Sequence, residues 1–289
     1  MTIHAKKTGV SFEEVLRETM REVEPRGPAR WACSFRNGGA HSLGVSIAEG
    51  QWMILDTLLR AESAPAEWWE ILRANPRLPG LSKVVLAANG RATRWRAELP
   101  LGGESDLGER LSVACADFPA ALAACREPRR AFLPAAPAPA APLEPADLEA
   151  LCAEAGWACS RQLGSCKVEL EGRRGVHQAH LEVEAGGSLR AGVDLVAGAA
   201  WSVESRWALA ALLLSASRVV RMARARARES GVEWRAGFEV RFGAPPSAFE
   251  LGRGLGALAA ACELAADEAR VLEDAAVARA YLDQVIVVS

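Results

Sequence analysis

Trp31-Ala32-Cys33-Ser34 and Trp157-Ala158-Cys159-Ser160 spell one word twice in a chain of 289 residues. A second word follows each in the same order, Trp95-Arg96-Ala97 and then Trp234-Arg235-Ala236. Between these words Asp56 and Trp69 return, at one common offset, as Asp194 and Trp207, and His41 returns as His177. Ser82-Lys83-Val84-Val85 reads against Ser217-Arg218-Val219-Val220, and the segment from Leu111 to Cys115 reads against that from Leu258 to Cys262. Self-similarity over so long a period marks a repeated structural unit. The run from Pro134 to Pro145 is almost all proline and alanine, an extended spacer between the copies. The sequence therefore predicts a first domain over 1–133, a linker over 134–144, and a second domain over 145–289 that carries an additional C-terminal helix.

Working outward through the first copy, Ser11-Phe12-Glu13-Glu14 has the capping-box pattern and opens a helix. Three strand-like segments follow, Trp31 to Arg36, Ser42 to Ala48 and Trp52 to Leu59, separated by Gly38-Gly39 and Glu49-Gly50. Pro65-Ala66-Glu67 starts a second helix that Asn75-Pro76 ends. Lys83 to Ala88 and Thr93 to Leu101 make a hairpin around Asn89-Gly90, a favoured tight-turn pair. Asp106 caps a last helix. The order is α-β-β-β-α-β-β-α, and the second copy repeats it from Asp147. Its clearest strand is Val232 to Phe242, where apolar and polar residues alternate, so that one sheet face is expected to be buried and the other wet. Asp267 to Leu282 reads as the additional amphipathic helix. The apolar tail Val285 to Val288 reads as an edge strand or as a segment packed on the partner copy.

Half of the residues are hydrophobic and the formal net charge is −2, so nothing in the overall balance calls for nucleic acid or an anionic membrane. No stretch reaches the roughly 18 apolar residues that span a bilayer. Seven cysteines, without a recognisable export signal, are expected to be reduced thiols in a cytoplasmic setting. Only four of the 34 basic residues are lysine: Lys6, Lys7, Lys83 and Lys167.

This element order, with an antiparallel sheet in each half, resembles the type III secretion chaperone-like fold shared by small effector chaperones and the YbjN-like family. The resemblance covers residues 11–125 and 145–264 and rests on element order and length. It implies an α+β protein of two tandem domains packed as an intramolecular pseudo-dimer. It further implies a non-enzymatic module that holds a polypeptide partner, with no cofactor. Two other roles fit the residues: an assembly subunit that oligomerises through the C-terminal helix, and a small-ligand sensor using the cleft between the copies.

The residues themselves supply no catalytic or metal constellation. His41 and His177 lack the further ligands a metal site needs. Cys152, Cys159 and Cys166 are evenly spaced but contain no Cys-x-x-Cys pair, and read as small buried hydrophobes. Gly252-Arg253-Gly254-Leu255-Gly256 lacks the strand and glycine spacing of a dinucleotide loop and reads as a helix-packing surface. Trp95 and Trp234 are assigned to the core. Trp68 and Trp69 are adjacent on a helix and cannot share one face, so one of them is expected at an interface, either between copies or with a partner. Arg224, Arg226 and Arg228, with Arg221 before them, form a basic stripe that Glu233 and Glu239 on the neighbouring strand are placed to neutralise. Trp68, Trp69, Arg224, Arg226 and Arg228 are the candidate residues for binding a protein or peptide partner.

Overall fold

The computed structural model describes residues 12–36, 40–78, 80–101, 107–126, 145–162, 165–184, 188–198, 201–230, 233–242 and 245–287. The Ser11 and Asp106 caps, the Gly38-Gly39 turn and the linker 134–144 lie outside the described residues. The first unit runs α1 (Phe12–Thr19), β1 (Glu22–Gly27), β2 (Arg30–Arg36), β3 (Ala40–Ala48), β4 (Trp52–Arg60), α2 (Pro65–Ala74), β5 (Ser82–Leu86), β6 (Thr93–Pro100) and α3 (Leu107–Arg126). The second runs α4 (Pro145–Glu154), β7 (Cys159–Gln162), β8 (Ser165–Gly172), β9 (Gly175–Val183), β10 (Leu189–Gly198), α5 (Val203–Val219), β11 (Arg224–Ser230), β12 (Glu233–Phe242), α6 (Ala248–Val271) and α7 (Ala275–Val287).

Each unit builds one six-stranded antiparallel sheet, in the order β1-β2-β3-β4-β6-β5 and, read in the same sense, β7-β8-β9-β10-β12-β11. The duplication is therefore a duplication of topology. A four-strand meander leads into a helix, and the hairpin that follows returns beside the fourth strand with its first arm on the sheet edge.

Each sheet has one strand more than the alternation of the sequence foretells. β1 reads Glu-Val-Glu-Pro-Arg-Gly and β7 reads Cys-Ser-Arg-Gln; both are short, polar and largely exposed. Neither shows an apolar face, and Pro25 is tolerated only because β1 is an edge. These extra strands also move the first repeated word. Trp31 lies in β2, whereas Trp157 precedes β7, so the two tryptophans do not occupy equivalent places. Ser217 to Val219 end helix α5 and are not a strand; the counterpart of β5 is β11.

The other matches hold up. Asp56 on β4 and Asp194 on β10 lie in the same strand of their units. Trp95 and Trp234 both face the core, with 0% and 4% of their surface exposed. The helix predicted from Pro65 is α2, and Glu67 Oε2 accepts from the Ala64 N–H at 3.1 Å to close its first turn. At Asn89-Gly90 the Asn89 side chain accepts from the amides of Arg91 and Ala92. In α6, Gly254 lies so close to β12 that a Cβ there would meet the Phe242 ring at 2.8 Å, and one at Gly252 would meet Ala155 O at 3.3 Å, whereas Gly256 has open space beside it. α6 also runs further than expected before a break at Leu272 to Asp274, and α7 follows. Its Val285 and Ile286 are helical and reach the first unit, where Ile286 O accepts from Arg91 Nη2 at 3.2 Å. The tail Val288 lies outside the described residues. No helix among the described residues is long and apolar enough to cross a membrane.

Candidate functional site

The charged side chains that sequence places on two edge strands meet at the seam between the units. β5 and β11 are the inner edges of the two sheets, and α2 packs on α5 above them. An unpaired strand edge exposes backbone donors and acceptors that must find partners when buried. Asn75, just past α2, does this for both units. Its Oδ1 accepts from the Val84 N–H at 2.8 Å, and its Nδ2 donates to Ala225 O at 2.9 Å and Val84 O at 3.2 Å. An amide side chain is suited to this because it offers donor and acceptor together. On the other side the Ala225 N–H donates to Ser217 Oγ at 2.6 Å.

The cations cross the seam in both directions. Lys83 on β5 donates to Ser217 O, Val220 O and Ala223 O of the second unit at 2.7, 2.8 and 3.2 Å. It also pairs with Glu98 Oε2 at 2.7 Å, and both side chains are 0% exposed. In return, Arg224 on β11 donates to Leu78 O at 2.7 Å, Ser82 O at 3.1 Å and Gly80 O at 3.4 Å of the first unit. Its Nε pairs with the buried Glu239 at 2.9 Å. Each unit thus plants one cation among the carbonyls that end the other unit's helix and begin its edge strand.

The register explains why Lys83 and Arg226, which stand at matching places on the two edge strands, take different anions. Asp56, Arg96 and Lys83 lie side by side across β4, β6 and β5; Asp194, Gly237 and Arg226 lie side by side across β10, β12 and β11. In the first unit Arg96 occupies the middle strand and satisfies Asp56, with Arg94 beside it. Lys83 is left to turn toward Glu98 and the second unit. In the second unit the middle position is Gly237, so Arg226 reaches across it to Asp194 at 2.5 Å. Arg228 joins Arg224 on Glu239, at 2.9 Å from the far carboxylate oxygen.

Glu98 has a second task. It accepts from the Met222 N–H at 2.8 Å and from Arg221 Nη1 at 3.3 Å. Met222 has φ of 62°, a left-handed conformation that is costly for a residue with a side chain. The first unit's carboxylate therefore holds the turn that aims the second unit's edge strand. Burial lowers the Lys83 pKa to about 8 against the opposing pull of Glu98. Burial likewise lowers that of Arg224. A lysine shifted toward neutrality is the usual mark of a nucleophile, but the Lys83 ammonium is enclosed by one carboxylate and three carbonyls, so its geometry is that of a structural clamp.

The tryptophans complete the seam. Trp69 meets Trp234 edge to face at 5.4 Å between ring centres, and Trp201 meets Trp234 edge to face at 5.0 Å. Trp68 points the other way and donates to Ser63 Oγ at 2.8 Å. The two neighbours do face apart, as their spacing demands, but both are buried, at 1% and 6% exposure. Arg224 and Arg226 are also buried and Arg228 is half-buried on Glu239. Of the five candidate residues, Trp69 and Arg224 lie at the interface between the copies, Arg226 and Arg228 pair with carboxylates of their own sheet, and Trp68 turns into the first unit. Glu239 neutralises the stripe as foreseen, whereas Glu233 pairs with Ser230 in the register and stands apart. Lys83, Glu98 and Asn75 escaped the sequence reading, although Lys83 is one of only four lysines in the chain.

Among the described residues no group of three or more His, Cys, Asp and Glu side chains is arranged to hold a metal ion. His177 is half-buried, with its pKa lowered by burial and by Arg270; the His41 side chain lies outside the described residues. In comparisons with protein-family models, curated proteins and solved structures, nothing matches this chain.

Proposed function

We propose that this chain is a non-enzymatic protein-binding module, similar in role to a secretion chaperone, in which two chaperone-like units are fused into one permanent pseudo-dimer. The observation that carries this reading is the reciprocal seam. Lys83 and Arg224 each cross into the opposite unit, and the groups with shifted acidity there are sealed rather than presented to a substrate. The same seam fills the space between the copies with Trp69, Trp201, Trp234 and the buried ion pairs, which favours a binding scaffold over a sensor with a ligand in that cleft. α7 is spent within the chain, on α5 and on the Arg91 hairpin, which speaks against its use as an oligomerising arm.

Burying the inner edges leaves β1 and β7 as the outer edges of the two sheets. β1 is blunted by Pro25 and its charges. β7 is mostly exposed and carries no proline, so an extended polypeptide can add to it through backbone hydrogen bonds. The test is capture of proteins from native cytosol by the full chain and by an Arg161→Pro variant, which interrupts the β7 edge. The reading requires a discrete partner that is retained by the parent and lost by the variant at unchanged thermal stability. Equal capture by both, or no capture, overturns it.

A further inference from the structure

Three thiols of the second unit that are distant in role converge at one place. α4 ends in a reversal at Gly156, φ 81°, where the Trp157 N–H donates to Cys152 O at 2.9 Å and the Gly156 N–H to Ala153 O at 3.0 Å. That pairing is a Schellman cap, and it folds the chain back along the helix. Cys159, the first residue of β7, is thereby returned beside Cys152. In the β7–β8 ladder Cys159 lies opposite Val168, and Cys166 lies two residues before Val168, so Cys159 and Cys166 share the face that α4 covers. α4 packs on both β7 and β8, so Cys152 on the helix faces the side of the ladder that carries Cys159 and Cys166. Cys152 and Cys166 are fully buried, whereas Cys159 is half-exposed. The two buried thiols are pushed up by desolvation, to about 12 and about 11. Burial keeps both from meeting an oxidant before Cys159 does.

We propose that Cys159 and Cys152 form a peroxide-sensitive disulfide site, with Cys159 as the thiol that meets the oxidant and Cys152 as the thiol that resolves it. Cys159 attacks hydrogen peroxide, giving a sulfenic acid and one water. Cys152 then attacks the Cys159 sulfur, and a second water leaves as the S–S bond forms. Two thiols are oxidised and one peroxide is reduced to two waters. Cys152 is the resolving partner because Cys166 is diagonal to Cys159 across the ladder. Diagonal neighbours lie about 7–8 Å apart, beyond the roughly 4.4–6.8 Å between Cα atoms that a disulfide spans. The product staples the first helix of the second unit to its outer edge strand.

The experiment treats the reduced full chain with dilute hydrogen peroxide, blocks remaining thiols, and maps tryptic peptides without reduction. Cys152 and Cys159 share one tryptic peptide, since no Lys or Arg separates them, and Cys166 falls on the next. The expected result is a Cys152–Cys159 peptide lighter by two hydrogens and unblocked at both positions. Cys152→Ala should instead accumulate a dimedone-reactive Cys159, Cys159→Ser should abolish both products, and Cys166→Ala should leave the link intact. Circular dichroism confirms that each variant is folded. A Cys159–Cys166 cross-link between the two peptides overturns the pairing. Full thiol blocking at Cys159 after peroxide treatment overturns the site altogether.

Discussion

The ammonium of Lys83 and the carboxylate of Glu98 lie 2.7 Å apart with neither side chain exposed, and each also bonds to backbone of the opposite unit. This pair is strand-to-strand within the first sheet and unit-to-unit at once. Removing one member leaves a buried charge without its counterpart, which costs about 3–5 kcal/mol. Lys83→Met and Glu98→Gln should each lower the unfolding free energy of the whole chain in urea by that order, and the double variant should lose clearly less than the two losses added. Additive losses in that cycle would show that the two groups do not act as a pair.

Trp69→Ala removes a large ring from between α2, Trp234 and Arg206, and truncation of a buried tryptophan costs about 3–5 kcal/mol. Trp207→Ala, at the matching but half-buried place on α5, should cost less. Chemical denaturation followed by fluorescence distinguishes the two, and a smaller loss at Trp69 would place that ring outside the seam's core.

Gly90 joins the first unit to α7. Its φ is 66°, and a Cβ added there would lie 2.5 Å from Val285 O. Gly90→Ala is therefore expected to be destabilising, by backbone strain and by pushing the end of α7 from the hairpin, at a cost of about 1–3 kcal/mol. Hydrogen exchange should accelerate in 275–287 more than in α5. Unchanged protection in α7 would mean that the contact at Val285 does not hold it.

Alkali should unfold the chain through its thiols. Burial raises Cys33 and Cys166 to about 11 and Cys115, Cys152 and Cys262 to about 12, from an ordinary 9, and Tyr281 to about 12. Above pH 9 the unfolded chain loses these protons while the folded chain keeps them, so their contribution is full below pH 9 and is lost as pH rises toward 11–12. Lys83 works in the opposite sense between about 8 and 10.5, where the unfolded lysine holds a proton that the folded one has released. One lysine opposes five thiols and a phenol. The urea midpoint, measured under reductant, should hold from pH 7.5 to 9 and fall steeply beyond; a rise through pH 10.5 would contradict the burial of the thiols.

Much of the architecture was written locally. Glu67 behind Pro65, the Asn89-Gly90 turn and the alternation from Trp234 to Phe242 each act through neighbours in sequence, and each element stands where those signals put it. β1 was illegible because an edge strand borrows its stability from the strand beside it and needs no apolar face of its own, whereas the strand read at Trp157 is present as β7, from Cys159. The wet face expected for β12 fails at Glu239 for a related reason: alternation shows which residues share a face, not what later covers it. Of the five candidate residues, Trp69 and Arg224 serve the seam, while Trp68, Arg226 and Arg228 are enclosed within their own units. Helical and strand spacing established that Trp68 and Trp69 diverge and that three arginines align, but spacing contains nothing about the second unit arriving to cover them.

By itself the sequence determined the duplication, the α+β class and the composition of the strands, because these depend on periods of two and of about 3.6 residues that are visible along the chain. Tertiary structure alone decided the seam. Lys83 and Ser217 are 134 positions apart, and no local preference links them. Only the docking of α2 on α5 brings β5 to β11, and only a buried carboxylate, Glu98, makes it tolerable for a lysine to end there.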